Sequence, residues 1–207
     1  MINFKKVRWK NFLSTGNTFT EIDLTKNSTT LIIGENGSGK STILDALCFG
    51  LFGKPFRTIN KSQLINSINT SGLVVEVDFR IGSRNYKVVR GIKPNVFEIY
   101  INGKMHNQHA NARDYQKYLE QQILKLNFRS FTQVVILGSS TFIPFMQLKS
   151  NHRREVVEEI LDIQIFSLMN MILKQKLKTI TEDLKNIDYQ LDLTTENLVY
   201  KKNILMM

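Results

Sequence analysis

Four residues in one short stretch have the types and the spacing to hold a phosphate. Residues 31–47 read LIIGENGSGKSTILDAL, in which Gly34, Gly39, Lys40 and Ser41 spell G-x-x-x-x-G-K-S. In such a loop successive backbone N–H groups converge on one concavity. The start of the following helix adds its partial positive charge, so an anion is attracted twice. Gly34, Gly37 and Gly39 permit the tight backbone path. Lys40 is placed to reach β- and γ-phosphates, and the Ser41 hydroxyl to sit on Mg²⁺. The plain alternative is a glycine-rich turn that opens an ordinary helix. The motif predicts a nucleoside triphosphate as ligand.

The motif works only between a strand and a helix, and the sequence offers both. TTLII at 29–33 is β-branched and apolar, as a buried strand requires, and residues 40–52 carry the pattern of a helix. Residues 2–9 predict a first strand and the region around 19–24 a second. Residues 54–72 read as loop with one short helical turn. LVVEVDFRI (73–81), NYKVVRGI (85–92) and VFEIYING (96–103) are three strands separated by Gly82-Ser83 and similar steps. Their short spacing implies antiparallel pairing, because a parallel crossover needs a dozen or more residues. Residues 111–124 predict a helix, 127–137 a mixed helical segment, and Pro144 the start of something short.

The composition points to a basic body. The net charge is +10, and residues 1–151 hold 20 Lys and Arg against 9 Asp and Glu, whereas 152–207 hold 8 against 9. A globular part with that excess fits a polyanionic partner, nucleic acid first, although a merely basic surface would look the same. The one cysteine, Cys48, lies among apolar helix residues, where a buried thiol is expected. A single cysteine also excludes an internal disulfide and fits a reducing cytoplasm. MINFKKVRWKNF has charges where a signal peptide needs an apolar core, and no run approaches a membrane span.

From residue 151 onward there is neither Gly nor Pro. Leucines stand at 177, 184, 191, 198 and 205, with Ile180 and Ile187 between them and Thr194 and Lys201 continuing that register. A seven-residue repeat of this kind is a coiled-coil seam. A long helix packed on the globular part is the alternative, but from residue 151 it would run roughly 80 Å at 1.5 Å per residue. The domains expected are 1–150 and 151–207. The segment EILDIQIFSLMNMIL (159–173) has more apolar positions than a seam needs, which marks either contact with the globular part or a docking site.

The second half of a hydrolytic site is missing from the sequence. A hydrolysing P-loop enzyme needs four apolar residues followed by Asp-Glu to hold the metal and position water. VVEVD at 74–78 is interrupted by Glu76, lacks the second acid, and reads as antiparallel ribbon. No S-G-G signature loop occurs, nor the N-K-x-D base-recognition motif that a small kinase or GTPase would call for.

Lys10-Asn11-Phe12, GENGSGKST opening LDALCFGLFG, a glutamine at 133 and a long heptad tail together resemble the N-terminal half of the SMC-like DNA-repair ATPases of the SbcC type. FGLFGKPFR (49–57), QLINS (63–67), RGIKPNVFEI (90–99) and VVILG…PFM (134–146) resemble most the phage branch of that family, the ATPase subunits of T-even-like recombination endonucleases. The resemblance implies an α/β fold: an ABC/SMC-type P-loop head lobe, with a mixed sheet and an antiparallel ribbon, followed by an outgoing coiled-coil helix. It implies ATP and Mg²⁺ as cofactors, with phosphate contacts on Asn36, Gly37, Ser38, Gly39, Lys40, Ser41 and Thr42. Gln133 is then the glutamine that reaches Mg²⁺ and the attacking water, a task that suits a neutral amide. Asn66, Ser67 and Ile68 match a stretch that meets the nucleotide through its backbone. Members often carry Arg where this chain has Leu13, so cationic help from that position is absent.

The same resemblance implies a head completed by a C-terminal lobe, which supplies the acidic pair and the signature loop. Its partners would be double-stranded DNA read without sequence preference, a nuclease subunit at the coiled-coil base, and a second copy of the head. The setting is the cytoplasm, the host's for a phage-encoded chain. A chromosome-organising SMC-type ATPase without a nuclease is the alternative. Lys5, Lys6, Arg84, Lys87 and Lys93 are the candidate basic contacts to DNA.

Overall fold

The computed structural model describes residues 2–106, 111–137, 143–161 and 163–205. Strands β1 (Ile2–Lys10), β2 (Thr20–Asp23), β3 (Leu73–Ile81), β4 (Arg84–Ile92), β5 (Val96–Ile101) and β6 (Lys104–Met105) form one six-stranded sheet in the order β2-β1-β3-β4-β5-β6. Every pairing is antiparallel. The β5–β6 turn is Asn102-Gly103 at φ 50° and 80°, the left-handed pair that a two-residue hairpin prefers. Alternation along the strands sorts the two faces. Leu73, Val75, Val77 and Phe79 of β3 are buried with Val7, Trp9, Val88 and Ile99. The intervening Glu76 accepts from Arg8 Nε at 2.8 Å and pairs with Lys87, so the other face is polar.

Helix α1 (Thr42–Phe52) lies on the apolar face. Nearly all of its residues are buried, as its unbroken apolar run ALCFGLF demands. Its approach to β3 is close: a Cβ on Gly50 would stand 2.6 Å from Val77 Cγ2. Gly53, at φ 69°, ends the helix by donating its N–H to Phe49 O at 2.8 Å. Arg90 of β4 fastens the same end. Its Nε donates to Gly50 O at 3.1 Å and its Nη2 to Gln116 Oε1, while the guanidinium lies 3.8 Å from the centre of the Phe97 ring. Burial lowers the Arg90 pKa to about 10, which leaves it charged at neutral pH.

Three expectations meet a different structure. Residues 29–33 form no strand, and Leu31 and Ile33 are 80% and 83% exposed. A strand exists only with a ladder partner, and the six strands described pair with one another. In place of the mixed sheet, the described residues show antiparallel pairing throughout. The helix expected at 111–124 is α2 (Ala112–Tyr118) passing into a wider π-type turn over Leu119–Leu124.

After α3 (Phe128–Val134), helix α4 (Ser150–Ile160) precedes α5 (Gln164–Leu205). The chain divides into two units, Met1–Ile160 and Leu161–Met207. Helix α4 belongs to the first because Glu155 and Glu159 bind Asn127 and Arg129. The second unit is α5, along which Leu177, Ile180, Leu184, Ile187, Leu191 and Leu198 are all more than half exposed. The heptad stripe is thus present and uncovered. Gly138, Asp162 and the side chains of Gln164, Lys201 and Leu205, which entered the sequence expectations, lie outside the described residues. No helix among the described residues is long and apolar enough to cross a membrane.

Candidate nucleotide-binding site

The glycine loop hangs between the exposed run 31–33 and the first turn of α1. Gly37 and Gly39 hold φ 89° and 92°, values that explain both glycines. At Gly34 the reason is space: a Cβ there would stand 2.6 Å from Ser38 Oγ. Within the loop Ser38 N–H donates to Glu35 O at 3.2 Å and Thr42 N–H to Gly39 O at 2.9 Å. The N–H groups of Gly37, Gly39, Lys40 and Ser41 donate to no partner among the described residues. Ser41 stands at the N-cap of α1 and makes no side-chain capping bond, so its hydroxyl is open to a ligand.

Lys40 folds over its own loop. Its Nζ donates to Gly34 O and Glu35 O, each at 2.6 Å. These bonds bring the ammonium back to the start of the loop. A triphosphate offers stronger, charged acceptors for the same donors. Unused N–H groups, an unbonded hydroxyl, a helix start and one ammonium together fit a triphosphate with its Mg²⁺. Among the described residues no cluster of three or more His, Cys, Asp and Glu could hold a metal alone.

Behind the loop, Asp45 in the first turn of α1 is fully buried. It accepts from Arg57 N–H at 2.9 Å and from Arg57 Nε at 2.7 Å, with Arg57 Nη2 also on Oδ2. The fork ties the segment after α1 to the helix that carries the cradle. Cys48, one turn on, is buried, and desolvation, with the nearby Asp45 charge, pushes its thiol up to about 12.

Asn66 is buried and its side chain is used inside the fold. Nδ2 donates to Leu13 O and Thr15 O, both at 3.1 Å, and Oδ1 accepts from the N–H groups of Ile68 and Asn69, both at 3.0 Å. Its own N–H donates to Asn11 O at 2.9 Å. Ser67 and Ile68 are exposed, Ile68 to 87%. Asn11 is the other centre of this knot. At φ 51° it donates Nδ2 to Gly72 O and Asn17 Oδ1, and it accepts from Asn69 Nδ2 at 2.7 Å. Leu13, also left-handed at φ 53°, donates its N–H to Leu64 O at 2.7 Å. The Lys10-Asn11-Phe12 signature therefore builds the turn on which residues 64–69 rest. Asparagine's tolerance of positive φ was the available signal for Asn11.

Gln133 makes no hydrogen bond to the cradle among the described residues. Near the end of α3, its Nε2 donates to Ile143 O at 2.9 Å, and its Oε1 is buried without a partner among the described residues. It lines a groove of about 460 Å³ with Phe52, Lys54, Thr132 and Ile143, and no residue of 34–42 lines that groove. The structure thus brings residues 36–42 together as one cradle, and leaves Gln133 and residues 66–68 as separate features.

An antiparallel sheet, a glycine loop opening a buried helix and a following heptad helix are the features of the head-lobe fold of SMC-type P-loop proteins. The AAA-domain family matches residues 6–205. Exonuclease subunit 2 of Enterobacteria phage T4 is 44% identical over 176 residues, covering 84% of this chain and 31% of that protein. Exonuclease subunit 2 of Escherichia phage RB69 is 39% identical over 207 residues, covering 99% of this chain and 37% of that one. The DNA double-strand break repair Rad50 ATPase of Thermoplasma volcanium is 26% identical, covering 89% and 21%. Among solved structures, the Smc head domain with a coiled coil and joint from Pyrococcus yayanosii gives a TM-score of 0.60 at 23% identity, covering 96% of this chain and 40% of that one. The chain belongs to the AAA-domain family, in its SMC-like, SbcC-type branch. It spans about a third of the length of the two phage relatives.

Proposed function

We propose that this chain is the ATP-binding lobe of an SMC-like ATPase subunit in a DNA-end-processing nuclease complex. One observation carries the proposal: an open phosphate cradle stands next to an apolar strand-like run, residues 31–33, that has no ladder partner here. An apolar β-branched run left in solvent is what a lobe shows when its neighbouring strands are supplied from elsewhere. In this reading a C-terminal lobe completes the sheet, and a second head brings the signature loop to the nucleotide.

Residues 36–42 hold the triphosphate, Lys40 by charge and the N–H groups of Gly37, Gly39, Lys40 and Ser41 by hydrogen bonds. Ser41 supplies a hydroxyl to Mg²⁺. The bound nucleotide supplies the phosphoryl group for hydrolysis. Gln133 leaves Ile143 O to face metal and water, and its unpartnered Oε1 is the atom suited to both. Within residues 66–68 the backbone left to meet the nucleotide is that of Ser67, since the N–H groups of Asn66 and Ile68 are taken by Asn11 O and Asn66 Oδ1. Nucleotide binding then drives head pairing and controls the access of DNA to a nuclease docked on the apolar base, residues 159–173.

The exonuclease-subunit relatives from two phages support the nuclease partnership over a chromosome-organising role. The test is steady-state phosphate release by this chain with and without the C-terminal lobe. Negligible release alone, and release on mixing that Lys40→Ala removes, is the expected result. Appreciable turnover by the chain alone would refute the split head.

A further inference from the structure

Helix α3 is held along its first half by two different parts of the first unit. On one side, Phe128 and Phe131 pack on Phe52 at the end of α1, with ring centroids 5.7 and 5.1 Å apart. At its start, Asn127 caps the helix by accepting from Ser130 N–H at 2.9 Å. The same side chain donates both of its Nδ2 hydrogens to α4, to Glu155 Oε1 and Glu159 Oε1 at 2.7 Å each. Asn127 N–H donates to Glu159 Oε2 at 3.1 Å, and Arg129 Nη1 meets Glu155 Oε2 at 2.6 Å. Two carboxylates of α4 thus take four donors from the first turn of α3.

We infer that this four-donor clamp positions Gln133, so that Asn127, Glu155 and Glu159 are positioning residues for hydrolysis. The inference rests on the reading of Gln133 as the residue that faces metal and water. Gln133 lies six residues along from Asn127, roughly 9 Å at helical rise, on a helix of only seven residues. So short a helix has little stability of its own, and its direction is set by what grips residues 127–131. The grip by α4 is directional: bonds to charged acceptors are about twice as strong as neutral ones and fix both angle and distance. A shift of about 1 Å in a positioned group can cost roughly a hundredfold in rate.

The clamp also has a specific electrostatic logic. Asn127 must be an amide, because it accepts from its own helix and donates to two carboxylates. Asp at 127 would keep the cap but set a third negative charge against Glu155 and Glu159. Gln at 155 and 159 would then restore donors facing that carboxylate. This charge exchange separates positioning from mere support of the fold.

The experiment is turnover and ATP affinity of the full-length subunit for Asn127→Asp, for Asn127→Asp with Glu155→Gln and Glu159→Gln, and for Gln133→Ala. Expected is a fall in kcat of about tenfold or more for Asn127→Asp, with the protein folded at the assay temperature and ATP affinity unchanged, and recovery of most of that loss in the triple variant. A collapse with Gln133→Ala beside unchanged kcat in Asn127→Asp, or a loss the triple variant fails to recover, overturns the positioning role. Unchanged kcat in Gln133→Ala overturns the role of Gln133 itself, and this inference with it.

Discussion

Arg57 and Asp45 meet twelve residues apart in sequence, with the carboxylate wholly buried and the guanidinium 41% exposed. That asymmetry decides which substitution costs more. Arg57→Ala leaves the buried carboxylate only the backbone N–H of residue 57, a loss of at most about 3–5 kcal/mol. The start of α1 softens it, because a helix N-terminus favours a carboxylate. Asp45→Asn leaves Arg57 free to hydrate and keeps a hydrogen-bond acceptor, so it costs less. Urea unfolding of the two variants checks the order, and a larger loss for Asp45→Asn would contradict it.

Cys48 should be inert in the folded chain. With the thiol pushed up to about 12 by burial and by the Asp45 charge, the thiolate fraction at pH 8 is roughly one in ten thousand. A thiol reagent at that pH should label the chain only after denaturant is added. The same shift has a stability sign. The neutral thiol favours the fold, so its contribution is intact below the unfolded value of about 9. It is lost as pH rises through about 12. Rapid labelling without denaturant would show that α1 opens locally.

DNA binding should be sequence-independent and steeply weakened by salt, since phosphate contacts release counterions. Three of the five basic residues first singled out are already engaged: Lys5 with Asn85, Lys6 with Glu21 and Lys87 with Glu76. Arg84 and Lys93 are exposed and have no ion pair among the described residues. Arg84→Ala with Lys93→Ala should therefore weaken binding on any sequence and reduce the salt slope by about one per lost contact. A flat salt response in the unsubstituted protein would exclude this mode.

Helix α5 spans 42 residues and leaves its leucine face exposed, whereas helices in proteins draw most of their stability from packing such a face. In the isolated chain the stripe should pair with that of a second copy, without ATP, or fray beyond about residue 170. Sedimentation should show a concentration-dependent dimer, and Leu184→Asp with Leu191→Asp should return it to monomer with nucleotide binding intact. A monomer whose helix content is unchanged by both substitutions would mean that neither pairing nor fraying occurs.

The strands were legible where alternation and turns agreed. Residues 73–81 could be bounded to the residue, because Gly72 and Gly82 flank an unbroken run. The glycine loop was legible as a loop because Gly37 and Gly39 take the left-handed φ that favours glycine and stand directly before the apolar run of α1. The run at 29–33 misled for a physical reason: propensity describes a strand's side chains, whereas its existence depends on neighbours that a local reading does not see. The Asn11–Asn66 knot, the Asp45–Arg57 fork and the α3–α4 clamp were hidden for a related reason. Each joins residues 12 to 55 positions apart, and no local pattern encodes such a pairing. The end of α4 was blurred because its apolar residues run on into those of α5.

Equilibrium titration of ATP with Mg²⁺ against this chain tests the central claim most directly. The unsubstituted chain should bind, Lys40→Ala should lose most of the affinity, and Ser41→Ala should lose chiefly the Mg²⁺-dependent part, while unfolding shows both variants folded. Absence of ATP binding by the folded chain, or equal binding by Lys40→Ala, would contradict the account.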